Sequence, residues 1–213
     1  MDEKDLIAIS VSLAAFFLAF LTFVLNAYYR TFRPPSIMIV FGDLMSFSYT
    51  PDHKLRITND ITLLNDGAQY AVVIKLCGCL IGPDQQKHDV KWRSFVESKD
   101  LGQGLEFKPF IAFSSWVKPL LVPGLGAITQ NINFAVANEM PLSPGKYELM
   151  IIALGGRAGR QLGRTRLRLE ITEAEAAFLS EKAVAAEDGI TPELLIAHRE
   201  VETTWFRRHR LVS

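Results

Sequence analysis

The sequence predicts a mainly β protein in three parts: an N-terminal transmembrane helix, an antiparallel β-sandwich and a C-terminal helical tail. Three observations carry this. Leu6 to Tyr29 contains no charged residue. From Ser36 to Ile171, short apolar runs alternate with polar residues and are broken by Gly, Pro and Asn-Asp clusters, the pattern of strands and turns. After Thr172 the sequence turns Ala- and Glu-rich behind a helix-start signal. The expected divisions are 1–34, 35–172 and 173–213.

The uncharged run reads LIAISVSLAAFFLAFLTFVLNAYY. As a helix it spans roughly 36 Å, enough to cross a hydrocarbon core of about 30 Å. A cleaved signal peptide fits poorly. The head, Met1-Asp2-Glu3-Lys4-Asp5, lacks the basic character of a signal, and the apolar stretch is too long. Leu25-Asn26-Ala27 places a bulky residue where a cleavage site needs a small one. The expected anchor therefore includes Leu6, Phe16, Phe20 and Leu25. Tyr28 and Tyr29 form an aromatic belt, and Arg30 and Arg33 follow as headgroup anchors. Lys/Arg bias then places the C-terminal domain in the cytoplasm, with a periplasmic or extracellular domain as the alternative. Pro34-Pro35 ends the helix, since proline lacks the backbone donor and clashes with the preceding turn. So few residues precede the first strand that the domain is expected to sit against the headgroups.

Strands are expected at Ile37–Phe41, Leu55–Leu63, Tyr70–Leu80 and Val90–Phe95. Others are expected within Leu105–Phe113, Val117–Val122, Ala127–Ala137, Lys146–Ala153 and Arg164–Ile171. Pro109 and Pro119 suit edge positions. In the last strand Leu167, Leu169 and Ile171 share the inward face, and Arg166, Arg168 and Glu170 face out. Asn65-Asp66-Gly67 and Leu142-Ser143-Pro144-Gly145 are turns. Seven to nine such strands, without helical period, argue for an antiparallel sandwich.

Two passages carry a resemblance. ITLLNDGAQYAVVIKL (Ile61 to Leu76) resembles the N-x-G-x-x-x-A passage of immunoglobulin-like sandwiches of the cell-adhesion-related bacterial type. LSPGKYELMIIAL (Leu142 to Leu154) is similar to the P-G-x-Y strand entry of such domains. An anchor, a Tyr-Arg-x-x-Arg-Pro junction and a sandwich also resemble uncharacterised single-pass bacterial membrane proteins. The resemblance covers about two thirds of the chain. It implies an immunoglobulin-like fold and carries no catalytic residue across.

In the tail, Thr172-Glu173-Ala174-Glu175 is a capping box. The helix behind it is expected to run to about Asp188 and stop at Gly189. Thr191-Pro192 is expected to start a second helix, with Leu194, His198, Val201 and Trp205 on one face.

Lys plus Arg equals Asp plus Glu, 23 each, so no global field favours nucleic acid. Cys77 and Cys79 sit two apart on a strand. A structural zinc site needs four ligands and the second pair is absent, so the two are expected to pack as small hydrophobes. The glycine-rich stretch Gly155–Gly163 joins strand to strand, whereas a phosphate loop leads into a helix. It reads as a hairpin loop, with anionic headgroups or a partner as the other role for Arg157, Arg160 and Arg164. Trp205, Phe206, Arg207, Arg208 and Arg210 have two readings: an interfacial membrane segment, or a helix end packed by Trp205. No catalytic constellation has a local context, and no cofactor or metal is expected. The expectation is a single-pass, non-enzymatic interaction or scaffold module at the membrane surface. Its expected partners are the lipid bilayer and a protein. The alternative is an envelope enzyme or ligand-binding protein with its site between sandwich and tail helices.

Overall fold

A computed structural model describes residues 3–49, 54–100, 109–156, 158–185, 194–197 and 200–204. Helix α1 (Glu3–Ala27) continues into a π-helical turn, Tyr28–Phe32, closed by the Arg33 N–H donating to the Tyr28 carbonyl at 3.2 Å. Leu6–Phe32 is long and apolar enough to cross a membrane, and its most apolar window is wholly unburied. The three hydroxyl side chains of α1 are internally satisfied. The hydroxyls of Ser10, Ser12 and Thr22 each donate to the carbonyl four residues back at 2.8 Å. None then presents an unmet donor to an apolar medium.

The rest is mainly one antiparallel sheet. Its strands are β1 (Ile37–Tyr49), β2 (Lys54–Asn65), β3 (Ala71–Ile81), β4 (Lys87–Asp100), β5 (Pro109–Trp116) and β6 (Leu120–Val122). After them come β7 (Ala127–Glu139), β8 (Gly145–Gly155), β9 (Arg160–Ile171), β10 (Leu194–Ala197) and β11 (Glu200–Thr204). The spatial order is β10-β1-β2-β7-β4-β3-β8-β9-β11, with β5 on β4 and β6 on β3. Side chains alternate inward and outward most regularly along β8 and β9. The inward set makes a single core: Ile39, Phe47, Leu55, Ile57, Ile61 and Leu63 from β1 and β2 meet Leu76, Leu80, Phe134, Leu149 and Ile151. In β9, Leu167, Leu169 and Ile171 are buried and Arg168 and Glu170 exposed, as the alternation predicts.

Several strands are longer than expected. β1 runs past Phe41 through Gly42-Asp43, which reads as a breaker. A bulge absorbs the pair: Phe41 faces Ile61, and pairing resumes at Met45 opposite Asn59. The Asn59 side chain replaces the missing ladder bonds, accepting from the Gly42 N–H at 3.0 Å and donating to its carbonyl at 3.2 Å. β9 starts at Arg160, so the glycine-rich hairpin loop is shorter than Gly155–Gly163.

Two buried tyrosines tie down the end farthest from α1. The Tyr49 hydroxyl donates to the Met140 carbonyl at 2.8 Å and accepts from the Leu142 N–H at 2.7 Å. Burial pushes its phenol up to about 12. Tyr147, early in β8, donates to the Ser143 carbonyl at 2.8 Å and accepts from the Ser143 N–H at 3.0 Å.

The capping box forms as read. The Thr172 N–H donates to Glu175 Oε2 at 2.7 Å, and the Glu175 N–H to Thr172 Oγ1 at 3.3 Å. Helix α2 (Glu173–Ala185) buries Ala176 and Leu179 and packs on β1. Its expected end at Asp188–Gly189 lies outside the described residues. The second tail helix is a correction. Leu194 and Val201 lie in strands β10 and β11, and His198 and Trp205 lie outside the described residues. β10 pairs with Leu44–Phe47 of β1, and β11 with Arg164–Arg168 of β9. The unpaired backbone groups of those two edges, offered to apolar and β-branched residues, outweigh the Thr-Pro start signal.

Candidate functional site at the helix exit

Asn65 ends β2 and is almost fully buried. Its side-chain oxygen accepts from the Ser36 N–H at 3.2 Å and the Gly67 N–H at 3.0 Å. Its amide donates to the carbonyls of Gln69 at 2.8 Å and Pro123 at 3.1 Å. One side chain thus joins the segment leaving the N-terminal helix, the turn after β2 and the loop before β7. Backbone bonds complete the clasp. The Asp66 N–H donates to Ser36, and the N–H groups of Ala68 and Gln69 both donate to the Arg33 carbonyl, all at 3.0–3.2 Å. The Leu125 N–H donates to the Gly67 carbonyl at 2.8 Å.

The spacing leaves no room for side chains at two positions. A Cβ on Gly67 would strike the Pro34 carbonyl, and one on Gly124 the Ala68 carbonyl. Arg33 makes an ion pair with Asp66. Each side chain is about one third exposed, so the pair is partly screened and the buried asparagine carries more of the clasp.

Around the clasp several large apolar side chains are exposed. Tyr70, Leu121 and Leu125 are 67%, 61% and 62% exposed, and Phe32, the last residue of the π turn, 60%. Leu121 sits opposite Val72 in the β6–β3 pair, one strand position beyond the clasp. Leu125 occupies the left-handed region at φ 51°, where asparagine or glycine is the usual tenant.

The residues singled out from sequence fall in four places, of which Arg33 in the clasp is one. Leu6, Phe16, Phe20, Leu25, Tyr28 and Tyr29 line the unburied helix and its π turn; Arg30 is exposed there. Arg160 is exposed opposite Gly155, and Arg164 is half-buried on β9 between Ile152 and Thr204. This hairpin also lies at the anchor end, since a Cβ on Gly163 would strike the Ile37 carbonyl at the start of β1. Arg157, Trp205, Phe206, Arg207, Arg208 and Arg210 lie outside the described residues.

Cys77 and Cys79 are free and half-buried. They alternate with inward-facing Leu76 and Leu80, so they face outward and pack half-buried on the outer side of the sheet. Burial raises the Cys79 thiol pKa, which favours the unreactive protonated form. Among the described residues no group of three or more His, Cys, Asp or Glu side chains is placed to hold a metal.

A concavity of about 690 Å³ lies away from the clasp, at the far end of β8 and β9. Ile81, Tyr147, Lys146, Glu148, Arg168 and Glu170 line it. Glu148 there is engaged by Arg166 at 3.2 Å and Arg168 at 4.0 Å.

The clasp was half visible in the sequence. Asn65-Asp66-Gly67 reads as a turn, but its grip on Arg33 and Ser36 is a long-range contact. The run Pro123-Gly124-Leu125-Gly126, with a leucine between glycines, is the one local signal for the exposed rim. No protein-family model and no curated protein matches the sequence.

Proposed function

We propose that the chain is a single-pass membrane protein whose immunoglobulin-like sandwich acts as a non-enzymatic interaction or scaffold module at the membrane surface. The observation that carries this reading is the Asn65 clasp. A tethered enzyme needs no fixed relation to its anchor, whereas a scaffold gains from presenting its surfaces at a set height. Here the anchor exit is hydrogen-bonded into two loops of the domain.

Two features support the immunoglobulin-like assignment. Lettering β1, β2, β3, β4, β7, β8 and β9 as A to G turns the strand order into A-B-E-D followed by C-F-G, the two halves of a constant-type domain. Tyr147 begins strand F and bonds back to Ser143, the arrangement of a tyrosine corner.

The partner surface in this reading is β5. Among the described residues β5 pairs with β4 alone, so one of its edges is open. Its Phe113 and Trp116 stack edge-on at 4.9 Å, and both are exposed. Aromatic anchors of this kind are enriched in protein interfaces. Arg30 at the helix exit supports a cytoplasmic domain.

The test uses the full chain in cells. A photo-crosslinking residue in place of Trp116 should yield a discrete adduct with one protein, in membranes that retain the chain through an alkaline wash. A reporter active only outside the cytoplasm, fused after Ser213, should stay silent. Recovery of a soluble form starting near Tyr28 sinks the anchor, and a strong reporter signal reverses the side. No adduct at Trp116 from intact membranes removes β5 as the partner surface.

A further inference from the structure

We infer that the rim around the anchor exit, formed by Tyr70, Leu121 and Leu125, is itself seated in the interfacial layer of the bilayer, as a second membrane contact beside the helix. The inference rests on the reading of Leu6–Phe32 as a membrane span.

Depth comes first. The apolar helix is 27 residues long. About 20 residues fill a hydrocarbon core, so the remainder extends roughly 10 Å in all, about 5 Å at each end, within a headgroup layer of about 5–8 Å on each side. Tilt, on average about 20°, draws the exit deeper. Arg33 follows at once, and its carbonyl accepts from Ala68 and Gln69. Tyr70 is the next residue. Leu125 is held one hydrogen bond further on, through the Gly67 carbonyl. No linker separates the rim from the helix, so the domain cannot lift away without breaking the clasp.

Chemistry comes second. Tyr70, Leu121 and Leu125 are each more than three fifths exposed, and Phe32, at the helix end one residue before Arg33, is 60% exposed. An aromatic ring with a polar tip beside leucines suits the boundary between acyl chains and headgroups. Arg30 on the π turn and Arg160 on the neighbouring hairpin are exposed cations that suit anionic headgroups. Leu125 adds an independent point. A leucine at φ 51° faces outward where glycine would relax the backbone. Contact with lipid gives that side chain a use which water does not.

The test places single spin labels on the full chain in proteoliposomes, in a Cys77→Ala/Cys79→Ala background. Labels enter through Tyr70→Cys, Leu125→Cys, Leu13→Cys in the helix, and Gln85→Cys at the far end. Collision with oxygen, which partitions into lipid, is compared with collision with a water-soluble nickel chelate. The 70 and 125 labels are expected to favour oxygen at a depth between those of the 13 and 85 labels. If they match the 85 label while the 13 label is lipid-buried, the anchor stands and the rim contact is wrong. If the 13 label is also water-exposed, the membrane span itself fails and the inference falls with it. Shielding of 70 and 125 from both reagents means that protein covers the rim, which also overturns it.

Discussion

Asn65 is the side chain on which the anchor end depends. Its amide satisfies backbone groups from three segments that are buried together, so each loses its alternative partner, water. Asn65→Ala strands two N–H donors and two carbonyls. Each buried unmet group costs about 1–3 kcal/mol, and partial relaxation brings the expected total to about 2–4 kcal/mol. The measurement is the urea midpoint of the full chain in detergent, followed by tryptophan fluorescence. A loss below about 0.5 kcal/mol, the usual range of a surface change, would show that the clasp is incidental.

Elements with local signatures were legible in the sequence; those fixed by distant partners were not. α2 is the clearest success, because its capping box is contained in four residues. Thr172→Ala removes the acceptor of the Glu175 N–H and should cost about 1 kcal/mol, read from the same unfolding curves. An unchanged midpoint would mean that packing of Ala176 and Leu179 alone holds the helix. β8 and β9 were legible for a related reason: strict alternation over a run bounded by Pro-Gly. The far half of β1 was missed because Gly42-Asp43 looks like a stop, and what carries the strand through is Asn59 on β2. β10 and β11 were missed because Thr191-Pro192 is a sound local start signal. It is overruled by edges that exist only once β1 and β9 have folded. The site follows the same division. The turn at Asn65 was visible, but the height at which it meets the anchor was set by contacts across the fold.

At the scale of the molecule, β1 and β9 end the main sheet on either side. They touch near the anchor end, and one stretch of tail covers both, β10 on β1 and β11 on β9. Open edges of this length invite pairing with another copy. Deleting residues 186–213 uncovers Leu44–Phe47 on one strand and Arg164–Arg168 on the other. The shortened chain should form oligomers or aggregates in detergent where the full chain runs as a single species on size exclusion. A monodisperse truncated protein with an unchanged midpoint would mean that the tail strands contribute little. β11 runs towards the anchor end, since Thr204 lies beside Arg164 and the adjoining Gly163 beside Ile37.

The seam closed by the tail also sets a timetable for synthesis. Ala197, the partner of Leu44, emerges from the ribosome roughly 150 residues after it, an interval of about 10–30 s at ordinary translation speeds. Through that interval the Leu44–Phe47 edge of β1 has no strand paired to it on the side away from β2, while α1 has already been made. The strands that close these edges are therefore made long after the edges themselves, and protection against mispairing arrives late in synthesis, when β10 and β11 add to β1 and β9.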